Sequence, residues 1–120
     1  MRSRPSLAAV FRTLLAGTFI FATASAFADI DAEAARELAR QNNCFKCHAI
    51  SHAKDGPAWK DVAAKMHGKP DAEAKLIHHI TSGELAKFPD GHEEKHKIVR
   101  TDPPHDEAQV KNLVDWILSL

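Results

Sequence analysis

The sequence predicts an all-α domain of about four helices. Apolar residues recur with a helical period in several segments, and Gly or Pro separates these segments from one another. No segment shows sustained β alternation. The chain has 120 residues, of which 44% are hydrophobic and 27% charged. That length is enough for one small domain and too short for two.

Two helices are predicted in the first half of the domain. The first runs from residue 31 to about residue 42, where Ile30, Ala34 and Leu38 lie four apart on one face. Gly56-Pro57 opens the second, a short helix over residues 58–67 that Gly68 and Pro70 close.

Two more helices are predicted in the second half. Asp71 caps the third and Gly83 ends it. The fourth begins near Asp106, with Gln109 three residues later as in a capping box. Its apolar stripe has amphipathic spacing and consists of Val110, Leu113, Val114 and Ile117. The connections over residues 49–55 and 84–104 lack helical periodicity, and the length of the second indicates a functional or disordered loop.

The first 28 residues have the pattern of a cleaved Sec-type signal peptide. Arg2, Arg4 and Arg12 precede an apolar stretch over residues 13–21, and the segment ends in Ala26-Phe27-Ala28, a small-x-small cleavage site. An uncleaved membrane anchor is the alternative, but the apolar stretch is short of the ~20 residues that a span needs. We therefore expect export to the periplasm and one domain over residues 29–120.

The charge of the chain is balanced, with 16 basic and 16 acidic side chains. This balance excludes nucleic-acid binding through a bulk basic patch. Removing the first 28 residues, with their three arginines, leaves 92 residues with 13 basic and 16 acidic side chains. A domain of that size is marginal if only its own side chains fill the core. We therefore expect a cofactor to fill part of it.

Residues 44–48 read Cys-Phe-Lys-Cys-His, the signature of covalent haem c attachment. The thiols of Cys44 and Cys47 are spaced to reach the two vinyl groups of one porphyrin, and His48 then supplies the proximal iron ligand. A thioredoxin-like dithiol would need a βαβ context. A structural zinc site would need four ligands, usually from a second Cys or His pair. A chance match is the remaining alternative.

The chain resembles the small bacterial class I c-type cytochromes, the monohaem cytochrome c family. The matching pieces are the first helix running into residues 44–48, the segment 56–65 that begins Gly-Pro-Ala-Trp, and the closing residues 114–120. The resemblance implies a cytochrome c-like fold, with about four helices wrapped around one haem. It also implies that the Pro57 carbonyl accepts a hydrogen bond from His48. Trp59 and Trp116 would lie near the haem and near the crossing of the terminal helices.

The sixth iron ligand departs from the family pattern. Most such cytochromes supply a Met just before two prolines, whereas Asp102 precedes Pro103-Pro104 here. The only Met after the signal peptide, Met66, lies at the end of a helix, where a packing role is expected. The candidates in the expected stretch are His92, His96 and His105. His96 is favoured because apolar residues follow it, and an empty sixth position is a further possibility.

These observations predict a periplasmic electron-transfer protein rather than an enzyme. Imidazole favours ferric iron more than thioether does, so His96 ligation predicts a lower potential than Met ligation gives. The expected partners are transient redox proteins, which Lys46, Lys54 and Lys60 could steer. A gas-binding or sensing protein with an open sixth position is the alternative. A haem enzyme such as a peroxidase is disfavoured because no distal acid–base pair is evident.

Overall fold

The computed structural model describes residues 29–120, so the predicted signal peptide over residues 1–28 lies outside the described part of the chain. In chain order the elements are α1 (Ala32–Gln41), a 3-10 turn (Cys44–Lys46), α2 (Trp59–Met66), α3 (Ala72–Ser82), β1 (Leu85–Lys87), β2 (Glu93–Lys95) and α4 (Glu107–Leu118). All four predicted helices are confirmed. Within residues 29–120, no helix is both long and apolar enough to cross a bilayer.

Helices α1 and α4 begin close to the predicted positions, and a carboxylate caps each of them. The Asp31 carboxylate accepts from the Ala34 N–H at 2.9 Å, and the Asp106 carboxylate accepts from the Gln109 N–H at 3.0 Å. The Gln109 side-chain amide also donates to Asp106, which completes the capping box. Helix α3 differs, because the carboxylate of Asp71 pairs with Lys75 at 2.8 Å and does not cap the helix through its side chain.

Helix α4 lies at the centre of the fold and packs against α1, α2 and α3. Its buried stripe meets one apolar face of each of the other helices, so that the core consists of Ala35, Leu38, Ala39, Trp59, Leu76, Leu113, Val114, Trp116 and Ile117. Burying one Leu, Val or Ile side chain stabilises a fold by about 1.5–3 kcal/mol. Helix α4 therefore contributes four of the nine core residues, more than any other helix.

The long connection over residues 84–104 contains a small antiparallel hairpin that the sequence does not predict. Strands β1 and β2 pair with Leu85 opposite Lys95 and Lys87 opposite Glu93. The turn closes through a 2.9 Å bond from the Phe88 N–H to the His92 carbonyl. Each strand has three residues, which is too short for an alternating pattern to be visible. The fold is mostly helical, and the prediction of a wholly irregular loop is wrong.

The segment that follows the hairpin is fixed to the helical core at three points. The His96 N–H donates to the Glu84 carbonyl at 2.8 Å, and the Val99 N–H donates to the Ile80 carbonyl at 2.9 Å. The Arg100 N–H donates at 2.8 Å to the side chain of Asn42, at the end of α1. Residues 96–100, here called the distal segment, are therefore held against α1 and α3.

Candidate haem site

A cavity of about 810 Å³ lies between the 3-10 turn, the helices and the distal segment. This volume is in the upper part of the range of protein cavities that hold small molecules and cofactors. Its lining is mostly apolar and includes Trp59, Val62, Met66, Leu76, Ile80, Leu113, Val114 and Ile117. The core thus surrounds a space that its own side chains leave unfilled, as the small size of the domain predicts.

The two cysteines lie on one wall of this cavity. The N–H groups of Cys47 and His48 both donate to the Cys44 carbonyl, at 3.2 and 3.0 Å, so the chain coils tightly here. Both thiols are free and half-buried, and both residues line the cavity together with His48. Burial raises the pKa of the Cys44 thiol. The turn therefore presents two thiols and one imidazole to the same space.

The orientation of the His48 imidazole is set by Pro57. The Nδ1 atom lies 2.8 Å from the Pro57 carbonyl oxygen, which can only accept, so Nδ1 carries the proton and Nε2 keeps a free lone pair. Burial lowers the pKa of His48, against the opposing effect of this hydrogen bond. A neutral imidazole with a free Nε2 is the form that binds a metal ion.

Gly56 is required by the closeness of the imidazole to the backbone. A Cβ atom at this position would lie 2.5 Å from Cε1 of His48, 2.8 Å from Nδ1 and 2.9 Å from Nε2. The Gly56 N–H also donates to the Cys47 carbonyl at 2.7 Å, which folds the connection back over the 3-10 turn. The sequence places Gly56 at the start of a helix but does not reveal this contact, which joins residues eight apart.

The two tryptophans extend from the imidazole into the core. Trp59 stacks beside His48 with ring centroids 5.6 Å apart and planes 21° apart. Trp116 meets Trp59 edge-on at 5.4 Å. Both side chains are buried in the core where α2 packs on α4. These contacts tie the half-buried His48 ring to the aromatic side chains of the core.

His96 lies across the cavity from His48. The two ring centroids are 6.3 Å apart, and the planes are inclined by 47°. The Nδ1–H of His96 donates to the Lys97 carbonyl at 2.9 Å, which leaves Nε2 free. Burial lowers the pKa of His96. Metal–imidazole bonds are about 2.0–2.1 Å long, and the rings occupy the rest of the separation. The 6.3 Å separation is therefore the one that two imidazoles bound to the same metal ion would have.

The other sixth-ligand candidates occupy different places. His92 is exposed on the hairpin turn, where it stacks on Phe88 at 4.4 Å and contacts Asp90. His105 is exposed and has a positive φ of 64° just before α4. Neither residue lines the cavity. Met66 does line it, at the end of α2, and packs against the core.

The sequence assigns no ligand-supporting role to His79, which lies beside His96 with ring centroids 4.3 Å apart. Its Nδ1 is 2.6 Å from a carboxylate oxygen of Glu84, the same residue whose carbonyl accepts from the His96 N–H. The adjacent His78 is largely exposed and lies 3.5 Å from the other oxygen of Glu84. Only the tertiary packing of α3 on the distal segment distinguishes the two histidines.

The residues around the cavity fit a covalently attached haem and not the alternatives. Among residues 29–120, no group of three or more His, Cys, Asp and Glu side chains is arranged to hold a metal ion, as a structural zinc site would require. The only sheet in this part of the chain is the two-stranded hairpin, so the βαβ context of a thioredoxin-like dithiol is missing.

Comparisons with known proteins show the family of the chain. The sequence profile of the family Cytochrome c matches residues 32–120. The chain is 37% identical over 95 residues to cytochrome c-552 of Nitrosomonas europaea, covering 74% of this chain and 81% of the relative. It is 33% identical over 84 residues to cytochrome c-551 of Allochromatium vinosum, covering 69% and 82%.

Two solved cytochrome structures are similar to this chain. The crystal structure of the class 1 cytochrome MtoD from Sideroxydans lithotrophicus ES-1 superposes with a TM-score of 0.70 at 63% identity, covering 76% of this chain and 97% of that one. The crystal structure of cytochrome c552 from Nitrosomonas europaea superposes with a TM-score of 0.57 at 35% identity, covering 71% and 98%.

Proposed function

The chain belongs to the cytochrome c family, and from this premise we propose that it is a periplasmic electron carrier whose single haem lies between His48 and His96. As a class I cytochrome c it carries one covalently bound haem c and acts in electron transfer. Its relatives are electron-transfer cytochromes rather than enzymes. The proposal concerns the ligands, the attachment residues and the location.

The attachment residues follow from the 3-10 turn. Cys44 and Cys47 would form the thioether bonds, because both residues line the cavity together with His48. The Pro57 carbonyl fixes the tautomer of His48 and directs its Nε2 into the cavity as the proximal ligand. When bound, the haem iron supplies one-electron chemistry between its ferric and ferrous states.

The observation that carries the sixth-ligand proposal is the 6.3 Å separation of the His48 and His96 rings. His96 is also the one loop histidine among the three candidates that lines the cavity. Two imidazole ligands favour the ferric state more than imidazole with thioether does. The protein is therefore expected to have a lower potential than Met-ligated relatives.

The surrounding residues keep the site dry and rigid. Trp59 packs beside His48, and the apolar residues of α3 and α4 line the remainder of the cavity. Apolar lining limits the access of solvent to the iron and so contributes to the potential. The side chains do not transfer protons in this proposal. Their role is to hold the two imidazoles in place while an electron enters or leaves.

Partners would be redox proteins that bind weakly and dissociate after each exchange. Lys46 and Lys60 are exposed near the attachment turn and could attract an acidic partner. Lys54 is different, because its ammonium donates to the Phe45 carbonyl at 2.6 Å and so helps to hold the turn. Replacing Lys46 and Lys60 by Gln should slow electron exchange at low salt, and the difference should vanish at high salt.

The periplasmic location rests on the signal-peptide pattern of residues 1–28. Expression of the whole chain, followed by fractionation and N-terminal sequencing, tests it. A periplasmic holo-protein that begins at Asp29 is expected. A membrane-bound protein that retains Arg2 and Arg4 would contradict cleavage.

Optical spectra test the ligand assignment. The holo-protein is examined oxidised, reduced, and reduced under carbon monoxide, together with His96→Ala and the matched control His92→Ala. Wild type and His92→Ala should be low-spin in both states and resist the gas. His96→Ala should be high-spin and bind it, because it lacks the sixth ligand. A reduced wild type that is high-spin and takes up carbon monoxide would overturn the proposal in favour of a gas-binding protein.

A further inference from the structure

We propose that Asn42 is a positioning residue that latches the distal segment over the cavity and thereby controls how readily His96 leaves the iron. This inference rests on the proposed function, because it assumes that His96 is the sixth ligand. Asn42 would act only through the backbone of the distal segment. It is the residue at the C-terminal end of α1, just before the attachment region.

Asn42 pairs with both backbone groups of Arg100. The Arg100 N–H donates to the Asn42 amide oxygen at 2.8 Å. The Asn42 amide nitrogen donates to the Arg100 carbonyl at 2.9 Å and also to the Leu38 carbonyl at 2.9 Å. These bonds join residues 58 apart in sequence. The amide is thus fixed to α1 on one side and to the distal segment on the other.

The position of Asn42 connects the two sides of the haem site. It lies two residues before Cys44 and lines the cavity, yet only 5% of its surface is exposed. Arg100 lies four residues after His96 on the segment that must move if His96 is to leave. A buried amide whose hydrogen bonds are lost is costly, so an open distal segment is disfavoured as long as Asn42 is present.

The other hydrogen bonds of the distal segment lie on the α3 side of the cavity. The side chain of Ile98 is half exposed, and the N–H groups of His96 and Val99 each make one bond to the end of α3 or the residues just after it. Both of these bonds reach residues within 20 positions in the sequence. Asn42 is the attachment that ties the segment to the α1 side of the cavity.

The chain provides a matched control in Asn112. Its amide pairs with both backbone groups of Asp31 in the same way, at 2.9 Å to the N–H and 2.8 Å to the carbonyl. This pair ties α4 to the start of α1 and involves neither the distal segment nor a residue that lines the haem cavity. Removing either amide should lower stability, but only Asn42→Ala should affect His96.

The experiment measures carbon monoxide uptake by the ferrous holo-proteins of wild type, Asn42→Ala, Asn112→Ala and His96→Ala. Carbon monoxide binds only when His96 has left, so its rate reports the open population. Asn42→Ala should bind at least about tenfold faster than wild type, which corresponds to about 1.4 kcal/mol. Asn112→Ala should bind at the wild-type rate. Equal rates for the two Asn variants would show that Asn42 does not hold the distal segment over the cavity.

Two further measurements keep the test decisive. If Asn42→Ala does not accumulate as holo-protein, Asn42→Asp replaces it, because Asp keeps the acceptor for the Arg100 N–H but cannot donate to the Arg100 carbonyl. The reciprocal measurement is hydrogen exchange at the Arg100 amide, which should be faster in His96→Ala than in wild type because coupling is mutual. Unchanged exchange at the Arg100 amide would contradict the coupling between Asn42 and His96.

The outcomes separate this inference from the proposed function. If ferrous wild type takes up carbon monoxide as fast as His96→Ala, then His96 is not the ligand and the proposed function falls. Suppose instead that wild type resists the gas, His96→Ala accepts it, and Asn42→Ala behaves like Asn112→Ala. The proposed function then stands, and only the positioning role of Asn42 is refuted.

Discussion

The two sides of the cavity are built in different ways. On the proximal side, residues 44–59 place the thiols, His48 and Pro57 through contacts between residues at most about a dozen positions apart. On the distal side, His96 reaches its place through bonds to Glu84, Ile80 and Asn42, the last of them far away in sequence. One ligand is therefore fixed by a local motif and the other by the tertiary fold.

This difference has a consequence for the behaviour of the two ligands. The proximal imidazole is enclosed by Gly56, Pro57 and Trp59, so it has little room to move. The distal imidazole sits on a segment with a hairpin before it and exposed residues around it. Segments with few buried contacts open at lower free-energy cost than packed cores. Changes on the proximal side should therefore abolish the site, and changes on the distal side should modulate it.

The largest effect is expected from the attachment cysteines. Replacing both Cys44 and Cys47 by Ser should remove covalent haem completely, and the apo-chain should lose its stable fold because the 810 Å³ cavity remains unfilled. Acidified-solvent extraction of haem and circular dichroism measure the two effects. Lys46→Ala, between the cysteines, is the control and should retain both. Haem that stays with the double variant on extraction would contradict the attachment assignment.

Gly56→Ala is expected to have the next largest effect. The added methyl would lie within 3 Å of three atoms of the His48 ring, so the ring must shift. Overpacking of this kind costs about 2–3 kcal/mol. Denaturant unfolding of the holo-protein measures the loss, and the oxidised spectrum reports the proximal ligand.

Gly68→Ala is the control for this substitution. Gly68 has a φ of 72°, and a Cβ atom added there would have no neighbouring atom within 4 Å. Its substitution should cost about 1 kcal/mol through backbone strain alone and leave the spectrum unchanged. If Gly56→Ala likewise left the spectrum unchanged, His48 would not be enclosed as described.

A smaller, pH-dependent effect is expected at Asp106, the cap of α4. The Asp106 cap accepts from the backbone N–H and the side-chain amide of Gln109, and these bonds lower the pKa of Asp106. A lowered pKa means that the carboxylate stabilises the fold above its unfolded pKa and that this contribution is lost as pH falls through its folded pKa.

Thermal unfolding of wild type and Asp106→Asn as a function of pH tests this effect. Asn caps a helix without titrating, so the advantage of wild type should shrink by a few degrees or less as the pH falls below about 4. Asp106→Ala should be less stable than wild type at neutral pH. A difference between wild type and Asp106→Asn that stays constant with pH would show that the cap does not titrate as described.

The predictability of the molecule follows the same division between local and distant contacts. The cap of α4 and the motif over residues 44–48 are visible in the sequence, because each depends on spacings of a few residues. Asn42 could not be assigned, since its role requires knowing that residue 100 lies beside residue 42. His79 and His78 are equivalent in sequence, and only the packing of α3 turns His79 toward His96.

The hairpin illustrates the same limit. Residues 84–97 contain a tight-turn sequence, Pro89-Asp90-Gly91, and this turn does place His92 at the surface. The flanking strands are three residues long, and their pairing gives no periodic signal in the sequence. The sequence favours His96 as the sixth ligand because apolar residues follow it. The 6.3 Å ring separation that supports the choice arises from the tertiary fold.

Potentiometric titration of wild type and His96→Met tests the central claim, that the tertiary fold brings His96 to the cavity, where it would be the second iron ligand beside His48. Thioether stabilises ferrous iron more than imidazole does. The account predicts a wild-type potential below that of Met-ligated relatives and a higher potential in His96→Met. Equal potentials for wild type and His96→Met, with a wild-type value as high as that of Met-ligated cytochromes, would contradict it.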